Sequence, residues 1–186
     1  HTRYEHSGYV MAVTRAICDV LESKGRLPGS KADIVQFAKL HDTGHPPFSH
    51  AVEYVLKAMT GINHNDRALL LLDADTKDEK GHTLADVLCF SGADVANLRK
   101  LLTKENPAAA ICTDKTLGAD KLAYTYMDAV KCEFDQLPPA WDRLIPYVTF
   151  YEPGIGIEIK QQSHQSDHPI SMLCAMQDFY FRMYTE

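Results

Sequence analysis

Long hydrophobic runs are missing from this sequence: no uninterrupted apolar stretch approaches the roughly 20 residues that a membrane-spanning helix needs. The N-terminus also lacks the basic-then-apolar pattern of a secretory signal, so no membrane association is expected. Positive charge is scarce. Against 25 Asp and Glu stand 19 Lys and Arg, a net charge of −6, which argues against a general nucleic-acid-binding surface and confines phosphate-binding cations to a pocket. Paired cysteines are lacking too. Cys18, Cys89, Cys112, Cys132 and Cys174 are odd in number and form no C-x-x-C pair, which reads as reduced core thiols of a cytoplasmic, intracellular protein. There is no internal repeat and no low-complexity tract.

What is present suits one helical domain. With 186 residues, 45% of them hydrophobic, the chain can build a sizeable core without a second domain. It opens on His1, inside a motif, so residues 1–186 are read as a single domain belonging to a longer polypeptide.

Helical spacing dominates. From His6 the apolar positions Val10, Val13, Ile17 and Val20 recur at intervals of four, three, four and three, so the buried stripe of a first helix includes His6. Ser30 with Asp33 forms a capping box before Ile34, Phe37, Ala38 and His41, predicting a helix over 31–43. Phe48, Val52, Val55 and Met59 define the next helix, with His50 at its start and Gly61 at its end. The capping side chains of Asn63-His64-Asn65-Asp66 precede Ala68 to Leu72, so another helix opens near His64. Thr83 with Asp86, and Ser91 with Asp94, read as further capping boxes, heading helices with Val87 and Leu88, then Val95, Leu98, Leu101 and Leu102. A long helix over 119–134 should bury Ala123, Met127, Val130 and Phe134 while Asp120, Tyr124 and Asp128 share a polar face. Residues 148–151 and 155–159 form the one hairpin, 161–168 a polar loop, and 170–184 a last helix.

The chain is organised around His41-Asp42-Thr43-Gly44-His45-Pro46-Pro47-Phe48-Ser49-His50. Pro46 disfavours helical geometry at His45, and Gly44 is read as a left-handed terminator that leaves His41 and Asp42 in the last helical turn. Free carbonyls and the negative end of the helix dipole favour a cation there, and imidazole nitrogen with carboxylate oxygen suits a divalent transition metal. His6 and Asp120 stand in matching settings elsewhere.

Three elements carry a resemblance. Taken in order, His1-Thr2-Arg3-Tyr4-Glu5-His6-Ser7, the ten-residue run above and Ala119-Asp120-Lys121-Leu122-Ala123-Tyr124 closely resemble those of HD-domain phosphohydrolases. The nearest likeness is to the deoxynucleoside triphosphate triphosphohydrolases of the dGTPase and SAM-and-HD-domain type. A bare H…HD…D pattern is weak; the H-D-x-G-H-P-P-F-S-H run with its flanking elements is much more specific.

The resemblance implies a mainly α HD-domain bundle around a mononuclear metal site, with one minor β-hairpin. Its metal ligands are expected to be His6, His41, Asp42 and Asp120, holding one divalent ion (Mn, Fe, Co, Ni, Zn or Mg), with additional Mg accompanying a triphosphate. The substrate implied is a deoxynucleoside triphosphate, cleaved between the 5′ oxygen and the α-phosphorus. His45 is expected near the phosphates or in turn-stabilising hydrogen bonds, and His50 in either setting. Lys121 matches a phosphate contact, Tyr124 the sugar region, and Asp128 the sugar end. Arg3 and Arg182 are the guanidinium candidates for the triphosphate, Arg182 on the looser match. His64 matches the family's catalytic histidine as proton donor, with Asp66 supporting its charged form in place of a glutamate expected near Asn65; the plainer reading of His64 is a surface cap. Departures stand at Gly8, Ala123 and Asn65. A homo-oligomer is implied by resemblance. The alternatives are an HD phosphohydrolase of nucleoside monophosphates or alarmones, and a catalytically weak nucleotide-binding sensor module.

Overall fold

The computed structural model describes residues 2–134, 137, 138, 140–158 and 168–185, with the side chains of His50 and Thr185 outside that description. The fold is mainly α. Among the described residues ten helices run in order α1 (Arg3–Ser23), α2 (Lys31–Leu40), α3 (His50–Thr60), α4 (His64–Asp73), α5 (Leu84–Phe90), α6 (Val95–Leu102), α7 (Ala110–Thr113), α8 (Ala119–Lys131), α9 (Trp141–Leu144) and α10 (Pro169–Thr185). Among the described residues a single antiparallel hairpin, β1 (Val148–Tyr151) with β2 (Gly154–Ile157), lies between α9 and α10 and pairs Val148 with Ile157 and Tyr151 with Gly154. The expected hairpin extended to residue 159, which lies outside the described residues, as does most of the expected polar loop over 161–168. Among the described residues no helix is long and apolar enough to cross a membrane.

The core is built on α1, which packs chiefly against α2 and α8. Val10, Val13 and Ile17 are fully buried on its inward stripe, and His6 continues that stripe toward the helix start. That start is fixed by a capping box in which the Thr2 hydroxyl accepts from the Glu5 backbone N–H and the Glu5 carboxylate accepts from Thr2.

Several local expectations are corrected. Helix α2 stops at Leu40, with His41 as its C-cap in right-handed geometry, and residues 41–44 continue as turns. Gly44 does not adopt a left-handed conformation; its role is close approach, because a Cβ there would overlap the His64 carbonyl oxygen and crowd the Ala68 nitrogen. The left-handed residues of this segment are Phe48 and Ser49, with φ of 63° and 48°. Ser30 caps α2, but the Asp33 carboxylate does not return to it: it is buried and accepts from the Asp94 backbone N–H and the Asn97 amide, tying α2 to α6. Asp94 itself caps α6, whereas Ser91 closes α5, so the Ser91–Asp94 box does not form. Helix α8 ends at Lys131, and Val130 and Phe134 are partly exposed, at 45% and 41%, rather than core residues; Leu122, Ala123 and Ala129 lie on its buried face. Val55 and Met59 of α3, and Phe48 in the turn before it, face outward, because the side of α3 turned toward α4 carries the buried Glu53. All five cysteines are free, but only Cys18 and Cys112 are core residues.

Candidate active site

Four side chains from three elements meet beside the N-terminal turn of α8. His6 comes from α1, His41 and Asp42 from the end of α2, and Asp120 from the first turn of α8, so helix packing alone brings them together. One potential ligand atom from each lies within 4.8 Å of all the others. His6 Nε2 is 3.1 Å from Asp120 Oδ1 and 3.5 Å from Asp42 Oδ2, and His41 Nε2 is 3.4 Å from an oxygen of each aspartate.

The chemistry of this set fits a divalent cation. His41 Nδ1 lies 2.7 Å from the Ala38 carbonyl oxygen, which can only accept, so Nδ1 carries the proton and Nε2 keeps its lone pair. Among the described residues that Nε2 is buried without a hydrogen-bond partner, facing two carboxylates at 3.4 Å. Lone pairs converging in this way repel unless a positive charge sits among them. When a proton supplies it, burial works against protonating His6, but hydrogen bonds to Asp120 and Asp42 outweigh burial and raise its pKa to about 9. His41 is shifted in the same sense against its own burial, chiefly by Asp120. Burial likewise opposes ionising Asp42 and Asp120, yet the histidines hold both below the ordinary carboxylate range. Two neutral imidazoles and two carboxylates form a nitrogen and oxygen donor set suited to a transition metal.

A second cluster adjoins the first through His45. Its Nε2 lies 3.4 Å from Asp42 Oδ1, its Nδ1 3.4 Å from Glu53 Oε2, and its ring stacks on His64 with centroids 4.1 Å apart. Glu53 Oε1 accepts from both the backbone N–H and Nδ1 of His64, at 2.6 and 2.8 Å. Arg67 Nη2 approaches the same oxygen at 3.3 Å, while its Nε and Nη1 donate to the Gly44 and Ile62 carbonyls. The His45–Glu53–His64 group has metal-like spacing, but the Arg67 guanidinium already balances the charge of Glu53. Asp66 is not the carboxylate that supports His64: it is occupied in a capping box with Asn63, and Glu53 takes that position. Burial and the neighbouring His45 disfavour the charged form of His64, and Glu53 counteracts them.

Both clusters open into one cavity of about 660 Å³, whose wall also includes Tyr124 and Asp128 of α8 and Tyr180 and Tyr184 of α10. The Tyr184 hydroxyl donates to Asp128. Arg3 borders the cavity, but its terminal nitrogens donate to the carbonyls of Asp42, His45 and Pro46 and to the Ser49 hydroxyl, so it clamps the turn between α2 and α3. Lys121 lies over the Tyr180 ring, and burial lowers its pKa. Arg182 does not border the cavity; it is exposed, with its guanidinium 5.9 Å from the Phe179 ring. The His50 side chain lies outside the described residues. Sequence reasoning missed Glu53, Arg67, Tyr180 and Tyr184. Glu53 sits among apolar residues on a helix whose buried side spacing could not identify, and Tyr180 and Tyr184 had only their i, i+4 spacing.

A helical bundle that gathers two histidines and two aspartates at the junction of its first, second and eighth helices defines a metal-binding fold class. Residues 3–124 match the HD domain family, and the chain belongs to that family. Among curated relatives, the uncharacterized protein YwfO of Bacillus subtilis is 29% identical over 131 residues, covering 69% of this chain and 29% of that protein. Similar solved structures include a hypothetical protein from Aquifex aeolicus (TM-score 0.71, 24% identity, 100% of this chain and 46% of that one). A phosphohydrolase from Bacteroides thetaiotaomicron is also similar (TM-score 0.72, 21% identity, 99% of this chain and 42% of that one). The chain thus spans less than half the length of each, and these structures share its fold.

Proposed function

We propose that this chain is a metal-dependent phosphohydrolase whose substrate is a deoxynucleoside triphosphate, cleaved to the deoxynucleoside and inorganic triphosphate. The observation that carries the reading is the contact, through Asp42 and His45, between the four-ligand cluster and the His45–Glu53–His64 group, with His45 and His64 lining the same cavity as the ligands. At about 660 Å³ that cavity falls in the size range of small-molecule sites and suits a nucleotide. The phosphohydrolase from Bacteroides thetaiotaomicron, similar in fold, adds support for the reaction class. The convergence of all four ligands weighs against a sensor module that has lost its chemistry.

A divalent ion held by His6, His41, Asp42 and Asp120 would supply Lewis-acid stabilisation of a phosphoryl oxygen and ease the ionisation of water. The chain's own residues supply the rest. His64 Nδ1 donates to Glu53, so Nε2 is the atom that offers a proton to the leaving 5′ oxygen. As the bond between that oxygen and the α-phosphorus breaks, the departing deoxynucleoside takes the proton and the triphosphate keeps the oxygen of the attacking water. Tyr124 presents its ring and hydroxyl to the sugar, with Asp128 behind it held by Tyr184. Lys121 and Arg3 add positive charge near the phosphates.

Incubating the protein with each deoxynucleoside triphosphate and Mn2+ or Mg2+, then separating products by chromatography, tests the proposal. A deoxynucleoside with an equal amount of triphosphate is expected. A nucleoside monophosphate with pyrophosphate, or a diphosphate with phosphate, overturns the cleavage assignment.

A further inference from the structure

Lys104 stands where a glycine is usual. It follows Thr103, the C-cap of α6, and adopts φ of 61°, a left-handed conformation that side chains with a Cβ rarely take. The turn is anchored on both sides. The Lys104 N–H donates to the Leu101 carbonyl and the Asn106 N–H to the Lys100 carbonyl, at 3.1 and 3.0 Å. The Asn106 amide donates to Asn97, which in turn donates to the buried Asp33. The surrounding hydrogen bonds hold the lysine in this conformation, and nothing in them needs its side chain.

The position has a second property. Lys104 and Thr113 belong to the walls of both the main cavity and an adjoining cavity of about 260 Å³. Among the described residues the Lys104 ammonium has no hydrogen-bond or ion-pair partner. Other cations near the site are engaged or absent from the wall. Arg3 is committed to the turn, Arg67 to Glu53 and two carbonyls, Lys121 lies over Tyr180, and Arg182 does not border the cavity. The same wall carries Asp42, Asp120 and Asp128, so a polyanion entering it needs an uncommitted positive charge.

We propose that Lys104 is the specificity-determining contact for the terminal phosphates of the substrate, selecting a triphosphate over a monophosphate where the two cavities share a wall. This rests on the phosphohydrolase reading, but binding of a phosphate chain can be measured without any cleavage. Inorganic tripolyphosphate is therefore the probe, titrated by calorimetry into the metal-loaded protein and its variants at fixed metal concentration.

Lys104→Gly removes the cation and suits the left-handed backbone, so loss of fold does not cloud the result. Its melting temperature and metal content are expected to match or exceed those of the wild type, while tripolyphosphate binds about 10-fold or more weakly. Lys104→Arg should restore binding. Lys100→Gln, which removes one exposed charge from α6 without touching either cavity, should leave it within about 2-fold of wild type. With deoxynucleoside triphosphate the glycine variant should raise KM far more than it lowers kcat, with little change for a monophosphate. Unchanged tripolyphosphate affinity in Lys104→Gly, an equal loss in Lys100→Gln, or no tripolyphosphate binding by the wild type overturns the assignment. If the wild type cleaves a different phosphate bond yet Lys104→Gly still loses tripolyphosphate, the cleavage reading fails and the Lys104 contact stands.

Discussion

Glu53, on the first turn of α3, takes two hydrogen bonds from His64 at the start of α4, one from its backbone N–H at 2.6 Å and one from Nδ1 at 2.8 Å. A single carboxylate oxygen thereby fixes the position, ring orientation and tautomer of the proposed acid. Glu53→Gln keeps the shape and removes the charge. Turnover should fall about 10- to 100-fold with metal content retained, as for other residues that orient a reacting group. Glu53 favours the imidazolium, so its loss lowers the His64 pKa, and the decline of rate at high pH should begin at a lower pH than in the wild type. A variant with full activity and an unshifted pH profile would remove Glu53 from the mechanism.

Metal and protons compete for the same nitrogen atoms. His6 titrates near 9 in the metal-free fold, above the ordinary histidine value of 6.5 to which unfolding returns it. A raised pKa stabilises the fold fully below the unfolded value, and that contribution is lost as pH climbs through about 9. Asp42 acts in the opposite sense: its depressed pKa stabilises the fold above the ordinary carboxylate range and is lost on acidification. Metal-stripped protein should therefore lose thermal stability from about pH 6.5 to pH 9, and metal-loaded protein should not. Loading near neutral pH should release about one proton or more per ion, measured with an indicator dye in weak buffer. Metal binding without proton release would take His6 out of the ligand set.

Gly44 is where the turn after α2 touches the backbone of α4. Gly44→Ala forces a methyl group onto the His64 carbonyl oxygen, and neither backbone can yield without moving His45 or His64. The substitution should destabilise the protein by about 1–3 kcal/mol, as overpacking of a tight contact does. Turnover should drop even in molecules that stay folded. Chemical denaturation and a rate measured well below the melting temperature separate the two effects. A stable, fully active alanine variant would show that the close approach is not needed.

How much of this was legible in the sequence depends on what each residue's partner was. The inward position of His6 followed from its spacing with Val10, Val13 and Ile17, because one helix determines its own stripe. The shared polar face of Asp120, Tyr124 and Asp128 followed likewise, and all three line the cavity. The fold class and family came from ordered motifs, and residues 3–124 match that family. Relations between elements were not legible. Asp33 was read as the local half of a capping box, yet its carboxylate serves α6, some sixty positions along the chain. Asp66 lay closer in sequence to His64 than Glu53 did, but its carboxylate was already occupied by its own helix cap. The α3 stripe shows the limit of periodicity: spacing identifies an apolar face, and only packing decides whether the core receives it. Phe48 remains 85% exposed.

Hydrolysis of a deoxynucleoside triphosphate in oxygen-18 water, with products resolved by mass spectrometry, tests the proposed chemistry most directly. If water attacks the α-phosphorus and His64 protonates the departing 5′ oxygen, the label appears in inorganic triphosphate and the deoxynucleoside stays unlabelled. Replacing His64 with glutamine should slow the reaction about 100-fold or more without redirecting the label. Label in the deoxynucleoside, in pyrophosphate or in orthophosphate as the primary product would contradict the account.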